Sequence, residues 1–139
     1  MRILDATILE QAPPVRLALL EVLHYMMHVD GVMDAREEYV LDNLCVRLGM
    51  QELRQLLPEV PEWKRSWAEI LQPIGRLVLM EAAIMSVADG VVHRSERVSL
   101  EKLALALDED LGVLERVLAW AAEGQQWSSR GVALMQEST

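Results

Sequence analysis

Residues 26–48 read M-M-H-V-D-G-V-M-D-A-R-E-E-Y-V-L-D-N-L-C-V-R-L, and residues 85–107 read M-S-V-A-D-G-V-V-H-R-S-E-R-V-S-L-E-K-L-A-L-A-L. At this offset of 59, eight of the 23 aligned positions are identical: Met26/Met85, Asp30/Asp89, Gly31/Gly90, Val32/Val91, Glu37/Glu96, Leu41/Leu100, Leu44/Leu103 and Leu48/Leu107. The leucines could coincide through amphipathicity alone, but the shared D-G-V-x4-E has no such origin. Each copy reads as an apolar helix, an Asp-Gly turn and a second amphipathic helix. One hairpin is too small to bury its own apolar face, so the two copies are expected to pack together. The expected fold is all-α, a single-domain helical bundle with a pseudo-twofold internal duplication.

The flanking sequence supplies the remaining elements. Pro13-Pro14 opens the first long helix, where proline is tolerated because the first helical amides have no partner. Leu17, Leu20, Leu23 and Met27 recur along it at helical spacing until Asp30-Gly31 ends it. Asp34 is a plausible N-cap for the next helix, which runs to Gly49. A short helix over 50–57 stops at Pro58. Residues 58–72 read as a connector with a short amphipathic helix, and Pro73 opens the second long helix, which ends at Asp89-Gly90. A helix over 94–107 follows. Asp108 is expected to cap a last helix that stops at Gly124, leaving a frayed tail over 125–139. The expected layout is therefore repeat one over 15–57, the connector, repeat two over 73–124, and the tail.

Composition narrows the function. Thirteen Lys and Arg against 22 Asp and Glu give a net charge of −9, which opposes binding to nucleic acid and to anionic membrane surfaces. A cation or a basic protein partner is the natural counterpart. The single Cys45 excludes an internal disulfide and a cysteine-rich zinc site, and fits a reducing compartment. Met1-Arg2-Ile3-Leu4-Asp5 breaks too early for a signal-peptide apolar region, and Arg16, Glu21, His24, Arg76 and Glu81 interrupt every candidate membrane span. These features predict a cytoplasmic protein.

The repeated corner carries the chemistry. Asp at the end of a helix faces the negative end of the macrodipole, unfavourable by about 0.3–1 kcal/mol. Its repetition suggests compensation by a bound cation, and hard divalent ions prefer carboxylate oxygens. Asp30 with Glu37, and Asp89 with Glu96, would supply two pairs, and Asp34 a fifth donor. An EF-hand is excluded because its first ligand positions would be Met26 and His28, or Met85 and Val87. The competing reading is structural: Asp34-x-x-Glu37 matches a capping box, and Asp-Gly favours turns. In the second copy the cap position is His93, a poor N-cap.

Other constellations are weaker. His24 and His28 share a helix face and with Asp30 could hold zinc; Glu21-x-x-His24 is half of a di-iron motif whose other half is missing, since Ile84 follows Glu81. Glu21 and Glu81 are expected to be solvated; buried, they would need cations such as Arg16 or Arg76. Met26, Met27, Met80 and Met85 read as core filler. Trp63, Trp67, Trp120 and Trp127 are expected to close the connector and last helix over the core, and Trp127 beside Arg130 is the best partner contact. No phosphate loop, Gly-x-Ser-x-Gly or Cys–His pair points to catalysis.

At its two corners, Val29-Asp30-Gly31-Val32-Met33-Asp34-Ala35-Arg36-Glu37 and Ser86-Val87-Ala88-Asp89-Gly90-Val91-Val92-His93-Arg94-Ser95-Glu96, the sequence resembles the TerB-like family, named for a tellurite-resistance protein. The resemblance spans roughly residues 15–123. It implies a bundle of about seven helices with an internal duplication, a divalent-metal cluster formed by Asp30, Asp34, Glu37, Asp89 and Glu96, and a role in stress or chemical-resistance complexes near the membrane. His93, standing where Asp34 stands in the first copy, departs from a symmetric oxygen cage and favours a softer metal. The expectation is a non-enzymatic module with an acidic cleft for a divalent ion (calcium, magnesium, manganese or zinc). The alternatives are an interaction adaptor whose acidic surface receives a basic protein without metal, and a carboxylate metalloenzyme.

Overall fold

In a computed structural model the described residues are 7–29, 35–88 and 92–137, without the side chain of residue 37. Residues 7–9 are helical, and six further α-helices follow: α1 (Pro13–His28), α2 (Ala35–Arg47), α3 (Arg65–Leu71), α4 (Gly75–Ser86), α5 (Arg94–Ala106) and α6 (Leu111–Gln136). Two tighter 3-10 turns, Gln51–Leu56 and Gln72–Ile74, precede α3 and α4. Among the described residues there is no strand, and no helix is long and apolar enough to cross a membrane.

The duplication is visible in the helices. Moved by the repeat offset, Ala35–Arg47 becomes 94–106, the bounds of α5. Leu41, Leu44 and Leu48 and their counterparts Leu100, Leu103 and Leu107 are all buried, so the repeated leucines are one core element used twice. α4 lies at the centre, against α1, α2, α5 and α6. Leu77, Val78, Leu79, Ala82, Ala83 and Met85 are buried along it, and a helix apolar nearly all round must be covered on most sides. Met27 and Met85 are buried and Met26 and Met80 pack against the core, as core filler should.

Local chemistry sets the helix ends. α1 begins on Pro13, as read. Beyond α2, Gly49 takes a φ of 67°, its amide donates to the Val46 carbonyl, and Met50 donates to Cys45. This 5→2 and 6→1 pairing is a Schellman stop, for which glycine is suited. The Arg16 guanidinium also donates to the Leu48 carbonyl at 3.0 Å, placing a cation at the negative end of α2.

Several expectations are corrected. The helix over 50–57 is a 3-10 turn, and Leu57 is extended ahead of Pro58, as a residue before proline prefers. Pro73 lies in the second 3-10 turn, and α4 begins at Gly75. α6 is not capped by Asp108, whose φ of 58° ends the preceding turn; Asp110 caps it by accepting from the Gly112 amide. Nor does α6 stop at Gly124. A glycine in a helix interior costs about 1 kcal/mol but does not end it unless the backbone turns left-handed, and the helix continues to Gln136. Its first half buries Val113, Leu114, Val117, Leu118 and Ala121, whereas Trp127, 73% exposed, covers no core. Glu81 is not solvated. It is 3% exposed and paired at 3.3 Å with Arg47. Glu21 pairs with Lys64 at 3.2 Å, and Arg76 with Glu109.

Candidate functional site

Of the five predicted site residues, Asp30, Asp34 and Asp89 lie outside the described residues, as does the side chain of Glu37. Glu96 is described. It stands in the first turn of α5, and its carboxylate accepts from the His93 amide at 3.3 Å. The same oxygen is 3.9 Å from His93 Nε2. A carboxylate here satisfies an orphan amide at the positive end of the helix. The capping-box half that the sequence suggests for Glu37 is thus made by Glu96, with His93 in the cap position.

Residues beside both corners line one groove of about 1140 Å³. Arg36 comes from the start of α2, next to the first corner; Val87 and Val92 bracket the second; Gln125 and Arg130 come from α6. Residues that flank the two corners in sequence, 36 on one side and 87, 88 and 92 on the other, therefore line a common groove. The charged groups among its described lining residues are the guanidinium groups of Arg36 and Arg130. These are natural partners for carboxylates. Among the described residues no three His, Cys, Asp or Glu side chains gather into a metal-ligating group.

The histidine pair is bound to backbone. His24 Nε2 donates to the Pro58 carbonyl at 2.7 Å, and His28 Nδ1 donates to the His24 carbonyl at 2.8 Å, with the rings 4.3 Å apart. His24 Nδ1 is enclosed by protein, without a hydrogen-bond partner, and so has no open path to a metal. Burial pushes the His24 imidazole below its ordinary value, although the Pro58 carbonyl pulls the other way. His24 therefore ties the connector to α1 as a neutral ring. Glu21, His24 and Glu81 do not assemble the di-iron arrangement: Lys64 and Arg47 each hold one of the carboxylates.

An aromatic cluster that the sequence reading did not assemble lies beside the connector. Trp63 and Trp67 meet edge-on at 5.3 Å, and Tyr25 of α1 lies 5.5 Å from Trp63 and 5.9 Å from Trp67. Such edge-to-face contacts favour aromatic pairs beyond the area they bury. Trp67 is buried as expected, whereas Trp63 is half-exposed and forms a wall shared by two clefts. In one of them the Lys64 ammonium pairs with Glu21 and lies 6.0 Å from the centre of the Trp67 ring. The signal available in the sequence was the spacing of Trp63 and Trp67 by one helical turn; Tyr25 joins them only through the fold. The chain matches no protein-family model, no curated protein and no solved structure.

Proposed function

We propose that this chain is a non-enzymatic interaction module of the TerB-like kind, in which the groove lined by residues flanking the two Asp-Gly corners in sequence receives a basic segment of a protein partner. The observation that carries this reading is the joint lining of that groove by residues flanking both corners. Its volume of about 1140 Å³ suits a chain segment better than a single ion. The net charge of −9 favours a cationic partner. Asp30, Asp34, Glu37 and Asp89 are the acids assigned to it.

A second reading assigns the same acids, with Glu96, to a divalent metal ion. It is favoured by the groove that residues flanking both corners in sequence line together. One set of measurements separates the readings. A fluorescent Lys-rich decapeptide is titrated against the full chain and against Asp30→Asn/Asp89→Asn, while thermal melts follow EDTA treatment and addition of calcium, magnesium, manganese or zinc. The interaction module predicts salt-sensitive peptide binding, weakened at least about tenfold in the double variant, with melts indifferent to metal. A metal-specific rise abolished by Asp89→Asn and Glu96→Gln would replace it with the metal site, since a hundredfold excess of ligand over Kd stabilises by about 2.7 kcal/mol. Neither response would reduce the corners to caps and turns.

A further inference from the structure

Arg47 and Glu81 are among the positions at which the two copies differ, and a cleft opens beside Ala106, the counterpart of Arg47. In the first half, α2 packs directly on α4, and Arg47 of α2 pairs with the buried Glu81 of α4. At the repeat offset the equivalent positions are Ala106 of α5 and Val22 of α1. No ion pair can form between them, and α5 packs on α4 and α6 without a comparable contact to α1. Between α1 and α5 there is instead an open cleft of about 260 Å³, closed at one side by Trp63 of the connector. Tyr25 and Met26 of α1 face Ser99, Lys102 and Leu103 of α5 across it.

The charge of this cleft is opposite to that of the molecule. Only two of the thirteen cationic side chains are lysines, Lys64 and Lys102, and they line the two clefts on either side of Trp63. Lys64 is neutralised by Glu21. Lys102 has no ion pair among the described residues, no carboxylate is among the cleft's lining residues, and neighbouring Glu101 is held by Arg97. The Tyr25 hydroxyl also has no hydrogen-bond partner among the described residues. Ser99 already donates to the Ser95 carbonyl. The residues lining the cleft thus include two donors, an ammonium and a phenol, among apolar and aromatic side chains. A pocket of this kind orients a ligand by a few polar groups and holds its body by apolar contact.

We infer that the α1–α5 cleft binds a small amphipathic monocarboxylate, with its carboxylate on Lys102 and Tyr25 and its apolar body against Trp63, Met26 and Leu103. At roughly 20–30 Å³ per non-hydrogen atom, the cleft accommodates about ten such atoms, the size of octanoate. The site is separate from the corner groove and does not depend on the function proposed for it.

Isothermal titration calorimetry of the full chain with octanoate, octan-1-ol and octylammonium tests the assignment. Octanoate is expected to bind at least tenfold more tightly than either of the others. Lys102→Met, which keeps the apolar stem on an exposed helix position, should lower octanoate affinity at least tenfold and leave octanol unchanged. Lys102→Arg should restore it to within threefold, and Tyr25→Phe should weaken it two- to fivefold with an unchanged melting temperature. Lys64→Met should have no effect. Equal binding of octanol and octanoate, preference for octylammonium, an unaffected Lys102→Met, or an equal loss in Lys64→Met would each overturn the assignment.

Discussion

Two glycine-to-alanine substitutions should move stability in opposite directions. Gly131 lies inside α6, and a Cβ added there meets no atom within 4 Å. Alanine is favoured over glycine in a helix interior by about 1 kcal/mol, somewhat less close to a helix end, so Gly131→Ala should stabilise α6 by about 0.5–1 kcal/mol. Gly75 begins α4 and is buried, with a helical φ of −53° and ψ of −41°. Its added Cβ would stand 3.3 Å from the Leu107 carbonyl oxygen, the Leu107 Cβ and Glu109 Oε1. Carbon–carbon contacts are optimal at about 3.5–4.0 Å, so the α5–α6 turn must retreat by a few tenths of an ångström. The Glu109 carboxylate can swing away. Leu107 cannot, because it is 2% exposed and its amide is bonded back into α5. Crowding of a packed core costs about 1–3 kcal/mol, which outweighs the propensity gain at the first helical position and leaves Gly75→Ala destabilised by about 1 kcal/mol. Urea titrations followed by far-UV circular dichroism should separate the two variants by about 2 kcal/mol. A Gly75→Ala variant as stable as the parent would refute the close approach of α4 to the α5–α6 turn. A destabilised Gly131→Ala would refute α6 as a continuous helix open on that side.

Three further outcomes follow from single residues. The folded chain holds His24 neutral below its ordinary value of 6.5, so the unfolded chain binds the extra proton as pH falls. Stability should therefore be full above about pH 6.5 and decline through the pH range below it; melts from pH 7.5 to 5.5 should fall less steeply for His24→Gln, and an unchanged slope would exclude His24 as the cause. Cys45 is 1% exposed and burial raises its thiol above the ordinary value, so an aromatic disulfide reagent should label it no faster than the chain unfolds; rapid labelling in native buffer would contradict its burial. Asp110→Ala should cost about 1 kcal/mol through loss of the α6 cap, roughly 3–5 °C in Tm for a chain of this size, with Asp110→Asn retaining most of it; equal losses in the two variants would assign the effect to charge.

The parts of the fold that could be read early are those controlled by neighbours in sequence. The leucine period placed α2 and α5, and Gly49 ended α2 through the left-handed turn that its surroundings favour. Gly124 carries the same letter without the same conformation: the described glycine with positive φ is Gly49. Whether a glycine ends a helix depends on the bonds available beyond it, which periodicity does not record. Burial of Glu81 was equally illegible, because the cation that accompanies it lies 34 positions away on another helix. The corner acids stood out through repetition, yet the carboxylate that can be described there, Glu96, serves the His93 amide. A metal ligand and a cap select the same residue type at a helix start.

Repetition also concealed something. Aligning the copies draws attention to what they share, and the shared leucines are core. Among the differences between the copies is the pair Arg47–Glu81 in one and Val22 with Ala106 in the other. A charge on a buried helix face is tolerated only with a counter-charge close by, so Glu81 keeps α2 against α4. Its counterpart Val22 asks nothing of α5 and is satisfied by the core. α5 is then free to pack on α6, and the space it leaves against α1 is partly filled by Trp63 from the connector. The α1–α5 cleft thus opens where the second hairpin lacks the ion pair of the first. Introducing the missing pair, Val22→Glu with Ala106→Arg, should draw α5 toward α1 and abolish octanoate binding. If the double variant folds, retains its circular dichroism and still binds octanoate as the parent does, the cleft does not arise from that difference.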